Sequence, residues 1–182
     1  LGQADYDGVV DNMRLTSGAL WPIPISLDIT EKLSETLTLG EQVVLRDSEG
    51  VPLAVMDVEE MFTPDKDKEA EMVYGANDLA HPAVRYLHNQ TGNVYLGGAV
   101  TGIDEPVHYD YRQHRYTPND LRRMFHKWGW RRVVAFQTRN PLHRAHVELT
   151  VRAAQLTEAN LLIHPVVGMT KPGDVDHFTR VR

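Results

Sequence analysis

Ten consecutive residues, Gln137-Thr138-Arg139-Asn140-Pro141-Leu142-His143-Arg144-Ala145-His146, hold two amides, a hydroxyl, two arginines and two histidines. Histidines three apart share one side of a helix, so His143 and His146 can act on one ligand. Near a helix start they would stand beside backbone N–H groups without intrahelical partners and beside the positive end of the helix dipole, a combination that binds anions. Arg139 adds a planar fork that matches a tetrahedral oxyanion, and Arg144 adds charge from a second direction. The same histidine pair is compatible with a solvated surface or, given a third ligand from elsewhere, with zinc, although the flanking arginines oppose a cation. Taken together the residue types favour an anion-binding active site.

The flanking sequence shows which elements must position these groups. Arg132-Val133-Val134-Ala135-Phe136 reads as a buried strand and Gln137 to Asn140 as a polar turn. Pro141 then opens a helix, with Asn140 suited to the N-cap and Pro141 to the first helical position. Leu142, Ala145, Leu149, Ala153 and Leu156 are expected along one face of that helix, and Asn160-Leu161-Leu162-Ile163 follows as a second strand. Strand, helix and strand predict a βαβ unit with a parallel sheet, whose ligand lies beyond the carboxyl ends of the strands. Those ends carry Gln137 to Asn140 and His164-Pro165. Upstream, Thr117-Pro118-Asn119-Asp120 caps a helix over 117–128, with Leu121, Met124, Phe125 and Trp128 at helical spacing and Gly129 after it. The arginines of 112–132 read as a solvated face of this region. Gly168 to Gly173 has glycines and a lysine but a proline and not the spacing of a phosphate-binding P-loop, which argues against a P-loop kinase.

Before Tyr111 the rhythm is strand and turn. Trp21-Pro22-Ile23-Pro24-Ile25-Ser26-Leu27 is extended, because its prolines keep it out of a helix. Glu41 to Arg46 and Pro52 to Val58 flank Asp47-Ser48-Glu49-Gly50 and predict a hairpin. Asp65 to Gly75 and His81 to Leu87 predict short helices, and Val94 to Gly102 a strand loosened by glycines. The pattern describes a mainly β domain over 1–110 followed by an α/β domain over 111–182.

The chain has 182 residues, 42% of them hydrophobic and 24% charged, and a net charge of −6, which excludes a disordered chain and argues against a general nucleic-acid binder. Residues 1–111 carry six basic and twenty acidic residues, and residues 112–182 thirteen basic and five acidic, so the second part should attract anions. No run of about 18 uncharged apolar residues and no signal peptide is present. With no cysteine there is no disulfide or thiolate chemistry. A soluble, cytoplasmic protein without membrane or nucleic-acid partners is expected, and the Asn89-Gln90-Thr91 sequon is discounted. The absence of an initiator Met and a closing segment that reads as an interrupted helix suggest a piece of a longer protein.

Phe136 to His146, with His164-Pro165-Val166-Val167-Gly168-Met169-Thr170-Lys171-Pro172-Gly173-Asp174, resembles the ATP sulfurylase (sulfate adenylyltransferase) family, whose Gln-Xaa-Arg-Asn-Pro-Xaa-His-Xaa-Xaa-His pattern is highly specific. The resemblance extends to Gln3-Ala4-Asp5-Tyr6 and to Asn12-Met13-Arg14-Leu15 through Trp21-Pro22-Ile23-Pro24-Ile25. Ala145, where the wider superfamily has glycine, is similar to the assimilatory branch. The implied fold is α/β plus β: a PUA-like, mainly β N-terminal domain and the start of an α/β, Rossmann-like nucleotidyltransferase domain. The implied reaction converts ATP and sulfate to adenosine 5′-phosphosulfate and pyrophosphate, with Mg2+ accompanying ATP, in a homo-oligomer.

The resemblance further implies that Gln137 and Arg139 hold sulfate and that Gln137, Thr138, Arg139 and Asn140 contact the nucleotide and its α-phosphate. Thr138 and Asn140 would position the groups, while His143 and His146 donate to phosphate oxygens. Sulfate at neutral pH has no proton to lose, so the site needs donors and alignment and no general base. The family's later Gly-Arg-Asp-His-Ala-Gly-Pro-type loop has no counterpart here, and the piece is expected to be inactive alone. Two alternatives are another adenylyltransferase of the same superfamily and a PUA-like RNA-binding module.

Overall fold

A computed structural model describes residues 1–167 and 174–181. The chain divides into two compact units, Leu1–Val107 and His108–Arg182.

The first unit contains two antiparallel sheets and four helices. Strands β1 (Leu27–Ile29), β5 (Val94–Gly97) and β4 (Glu60–Phe62) form one sheet in that order, and β2 (Gln42–Arg46), β3 (Pro52–Asp57) and β6 (Val100–Gly102) form the other. The expected hairpin is present as β2 and β3, with Val44 opposite Val55. Asp47 closes its turn by accepting the N–H groups of Glu49 and Val51, both at 2.9 Å. The helices are α1 (Gln3–Asn12), α2 (Glu31–Ser34), α3 (Lys66–Tyr74) and α4 (Pro82–Asn89). Asp65 caps α3 through the Lys68 N–H, and Pro82 opens α4 as its sequence predicts. Trp21 to Ser26 is free of helix, and only Leu27 of that run enters a strand.

The expected single strand over 94–102 is two strands in two sheets. Gly98 explains the switch, because a Cβ there would lie 1.8 Å from the carbonyl oxygen of Asp57. Only glycine lets the backbone cross the end of β3 at that distance. The crossing is tied by Glu59 N–H to Gly97 O at 3.0 Å and Asp57 N–H to Ala99 O at 2.9 Å.

Neighbouring residues on β5 feed different cores, as strand alternation requires. Tyr95 joins Tyr6, Val10 and Phe62, while Leu96 joins Met56 and Val58. The three rings of the first cluster pack tilted or edge-on with centroids 5.4 to 5.9 Å apart, and burial of each such side chain is worth about 1.5–3 kcal/mol. Glu69 is buried in this cluster and accepts from the Tyr6 hydroxyl at 2.7 Å and the Tyr95 hydroxyl at 3.3 Å.

The second unit is the predicted βαβ arrangement. Helix α5 (Pro118–Lys127) opens with a full capping box between Thr117 and Asp120. Strands β7 (Val133–Thr138) and β8 (Asn160–Pro165) run parallel, with Val133 opposite Asn160 and Thr138 opposite Pro165, and α6 (Arg144–Leu156) connects them. A short helix, α7 (His177–Val181), ends the described chain, where His177 Nε2 meets Asp110 Oδ2 at 3.2 Å. Hydrogen bonding from Arg115 holds the Asp110 carboxyl below its ordinary range.

The apolar stripe read along α6 is not its buried side. Leu142 ahead of the helix, and Leu149 and Leu156 on it, are exposed, Leu156 at 85%. The side turned inward carries His146, Thr150, Ala153 and Ala154. Spacing alone locates a stripe without saying what covers it, and small residues allow the helix to lie close to a two-stranded sheet.

Candidate anion site at the strand ends

β7 continues two residues past the expected strand end, so Gln137 and Thr138 are strand residues and the turn starts at Arg139. Strand alternation places Gln137 on the opposite face of the sheet from Phe136 and Thr138. The Thr138 hydroxyl accepts the Asn140 N–H at 3.0 Å and donates to the Asn140 carbonyl at 2.8 Å, closing a tight loop. Asn140 is thereby drawn into the loop, and neither its predicted role as N-cap nor that of Pro141 as first helical residue holds. The helix begins three residues later, at Arg144, and its N-cap is His143. The competing side-chain bond from Thr138 is the physical reason: it satisfies the backbone locally and delays the helix.

This late start shapes the histidine pair. As the cap, His143 accepts the Ala145 N–H on Nδ1 at 3.3 Å. A nitrogen that accepts carries no proton, so the ring proton resides on Nε2 and leaves that atom a donor. His146, on the first turn, lies under it with ring centroids 3.9 Å apart and planes 30° from parallel. The Phe136 ring of β7 also packs on His146, tilted by 45° with centroids 5.6 Å apart. His146 Nδ1 is buried and without a hydrogen-bond partner. The two histidines thus lie on one side, as their spacing predicts, and their rings pack face to face beside the strand that ends in the Arg139 turn.

Arg139 is half exposed and its guanidinium lies 3.8 Å from the carboxylate of Asp174, a largely buried group. Arg144 is exposed at the first position of α6. The structure therefore groups Thr138 with Asn140, Arg139 with Asp174, and His143 with His146 and Phe136. No side-chain hydrogen bond joins Gln137 to them among the described residues. Gly168 to Gly173, the segment judged not to be a P-loop, lies outside the described residues. Asp174 belongs to the second motif but carried no role in the sequence reading; its partner is thirty-five positions away, and spacing holds no signal for such a pair. Among the described residues no group of three or more His, Asp or Glu is placed to hold a metal ion, and no helix is long and apolar enough to cross a membrane.

A parallel α/β unit with an arginine turn and a stacked histidine pair at its strand ends, preceded by a small two-sheet domain, defines the class of protein. Residues 1–105 match the PUA-like domain family and residues 112–182 the ATP-sulfurylase family. The chain belongs to the PUA-like domain family, whose match spans more than half of it, and its second part is similar to the ATP-sulfurylase family. It is 55% identical to the sulfate adenylyltransferases of Mycosarcoma maydis and Schizosaccharomyces pombe, and all of the chain aligns to 32% and 38% of their lengths. The sulfate adenylyltransferase of Eremothecium gossypii is 50% identical over the whole chain and 36% of its own length. The chain thus spans about a third of the curated relatives it matches. A solved structure titled hexameric APS kinase from Thiobacillus denitrificans is similar with a TM-score of 0.74 and 31% identity, covering 100% of this chain and 31% of that one.

Proposed function

We propose that this chain supplies the PUA-like domain and the first catalytic segment of a sulfate adenylyltransferase, which joins sulfate to the adenylyl group of ATP and releases pyrophosphate. The observation that carries the reading is the His143–His146 stack, with a donor directed from His143 Nε2, at the end of the strand that leads into Arg139. The identity to named sulfate adenylyltransferases supports it across the whole chain.

The chemistry follows from charge. A sulfate oxygen forms the new bond to the α-phosphorus while the bond from that phosphorus to the bridging oxygen of pyrophosphate breaks, and the electron pair leaves with pyrophosphate. Two anions must be brought into line, so positive charge and fixed donors supply the rate. Arg139 offers its fork to sulfate and Gln137 a neutral donor. Thr138 and Asn140 hold the loop that faces the nucleotide. His143 and His146 donate to phosphate oxygens as charge moves onto the leaving group. Magnesium enters with ATP as part of the nucleotide substrate. This reading places the protein in the cytoplasm and in sulfate assimilation, and a homo-oligomer is in keeping with the hexameric APS kinase of similar structure.

Sulfate-dependent exchange of pyrophosphate into ATP, measured on the full-length protein and its Arg139→Ala form, tests the reading. Exchange that requires sulfate and is lost in a folded Arg139→Ala protein is expected. Exchange independent of sulfate would assign the chain to another adenylyltransferase, and salt-dependent RNA binding without exchange would favour an RNA-binding module.

A further inference from the structure

The described residues contain three buried side-chain nitrogens without a hydrogen-bond partner. One is His146 Nδ1; the others are Nε and Nη2 of a single residue, Arg180. Arg180 is 8% exposed, and among the described residues its one side-chain hydrogen bond runs from Nη1 to the Val166 carbonyl at 2.9 Å. Val166 in turn donates its N–H to the Thr138 carbonyl at 2.9 Å. The guanidinium is therefore anchored one residue beyond the end of β8, through a backbone group bonded to the residue that precedes Arg139.

The identity of the unpaired donors matters. Nε–H and Nη2–H lie on the side edge of a guanidinium, parallel and spaced to meet two oxygens of one oxyanion. Nη1, the group outside that edge, is the one already engaged. The charge is permanent, and a buried charge without a counter-ion is unfavourable. The five carboxylates of residues 112–182 are engaged elsewhere. Asp120 and Asp176 bond the starts of their helices, and Glu148, Glu158 and Asp174 face Arg152, Arg132 and Arg139.

We propose that the Nε/Nη2 edge of Arg180 is a second oxyanion receptor of this site, which takes a tetrahedral anion of the reaction, a phosphate group of the nucleotide or sulfate. It rests on the proposed adenylyl transfer. Arg139 is half exposed and already faces a carboxylate, whereas Arg180 is buried, anchored by backbone and unpaired along the edge that chelates. It thus offers a fixed position and Arg139 an adjustable one.

The test compares the full-length wild type with Arg180→Lys, which keeps the charge without the fork, and Arg180→Gln. Thermal midpoints are read without anion, with pyrophosphate and with sulfate, and KM values for MgATP and sulfate are read in the exchange reaction. Expected are an anion-induced rise in the wild-type midpoint that shrinks in both variants, and a rise of about tenfold or more in the KM of the substrate that occupies the fork. The anion whose effect disappears identifies the source. Unchanged anion-induced shifts and unchanged KM values, with lower anion-free midpoints, would overturn the proposal and assign the fork to a carboxylate of the protein. Crystals of the wild type grown with pyrophosphate and with sulfate decide the matter if the variants do not fold: an anion oxygen at Nε and Nη2 is expected, and a carboxylate seated there in both would overturn it. A wild type stabilised by pyrophosphate but lacking sulfate-dependent exchange would remove the sulfurylase reading alone.

Discussion

His143 caps the helix on which His146 sits, and the two rings stack at 3.9 Å. One imidazole therefore does two jobs: Nδ1 holds the helix start, and Nε2 is left as a donor. The jobs separate by substitution. Asn at this position keeps a good N-cap, whereas Ala loses about 1 kcal/mol of stability. Both remove the Nε2 donor. Expected are a lower thermal midpoint for His143→Ala only, and a fall in kcat of about 100-fold in both variants of the full-length enzyme. A His143→Asn enzyme with wild-type kcat would confine His143 to its cap.

Asp174 restrains Arg139 at 3.8 Å. Since Arg139 is half exposed, solvent weakens the attraction, and the larger effect of the carboxylate is to limit the rotamers of a long side chain. Ordering such a side chain costs about 0.5–1.5 kcal/mol on binding. Asp174→Asn is expected to raise the sulfate KM of the full-length enzyme roughly three- to tenfold with little change in kcat. A lower KM would show instead that the carboxylate competes with sulfate.

Tyr95 is pushed up to about 12 from its ordinary 10.0, by burial first and by the neighbouring Glu69 carboxylate second. Burial raises Tyr6 as well, in the same cluster. A group whose folded pKa is raised contributes stability that is whole below the unfolded value and disappears as pH climbs through the folded one. The first unit is therefore expected to hold its stability up to pH 10 and lose it steeply toward pH 12. Tyr95→Phe should flatten that loss. Thermal midpoints against pH, with tyrosinate absorbance followed in parallel, check this; a loss of equal steepness in Tyr95→Phe would contradict it.

Gly98 lies where a Cβ would stand 1.8 Å from backbone oxygen, and a carbonyl cannot rotate aside as a long side chain can. Gly98→Ala is expected to destabilise the first unit by about 3 kcal/mol, read as a shift of the urea midpoint. Gly102→Ala, with nothing within 4 Å of its Cβ, is the control. Equal effects from both would mean that the close approach is not what the glycine serves.

Local signals in the chain were sufficient for most elements. Thr117-Pro118 with Asp120 specifies the start of α5, Asp47 to Gly50 specifies a hairpin turn, and the strand–helix–strand rhythm after Arg132 specifies a parallel unit, because capping, turn formation and periodicity depend on neighbours within a few residues. The residues of the candidate anion site could be picked out for the same reason, since its arginine and two histidines fall within one short run. Long-range packing decided the rest. Whether 94–102 is one strand or two depends on the Asp57 carbonyl beside Gly98. The true first residue of α6 depends on the Thr138 hydroxyl reaching Asn140. Which side of α6 is buried depends on the sheet beneath it, and the pairing of Arg139 with Asp174 and the unpaired edge of Arg180 depend on chain segments that meet only after folding. Composition and spacing determine which groups are present and how the backbone near them bends; the distances at which they act are set by tertiary contacts, because charge and hydrogen bonding depend on separation in space and not along the chain.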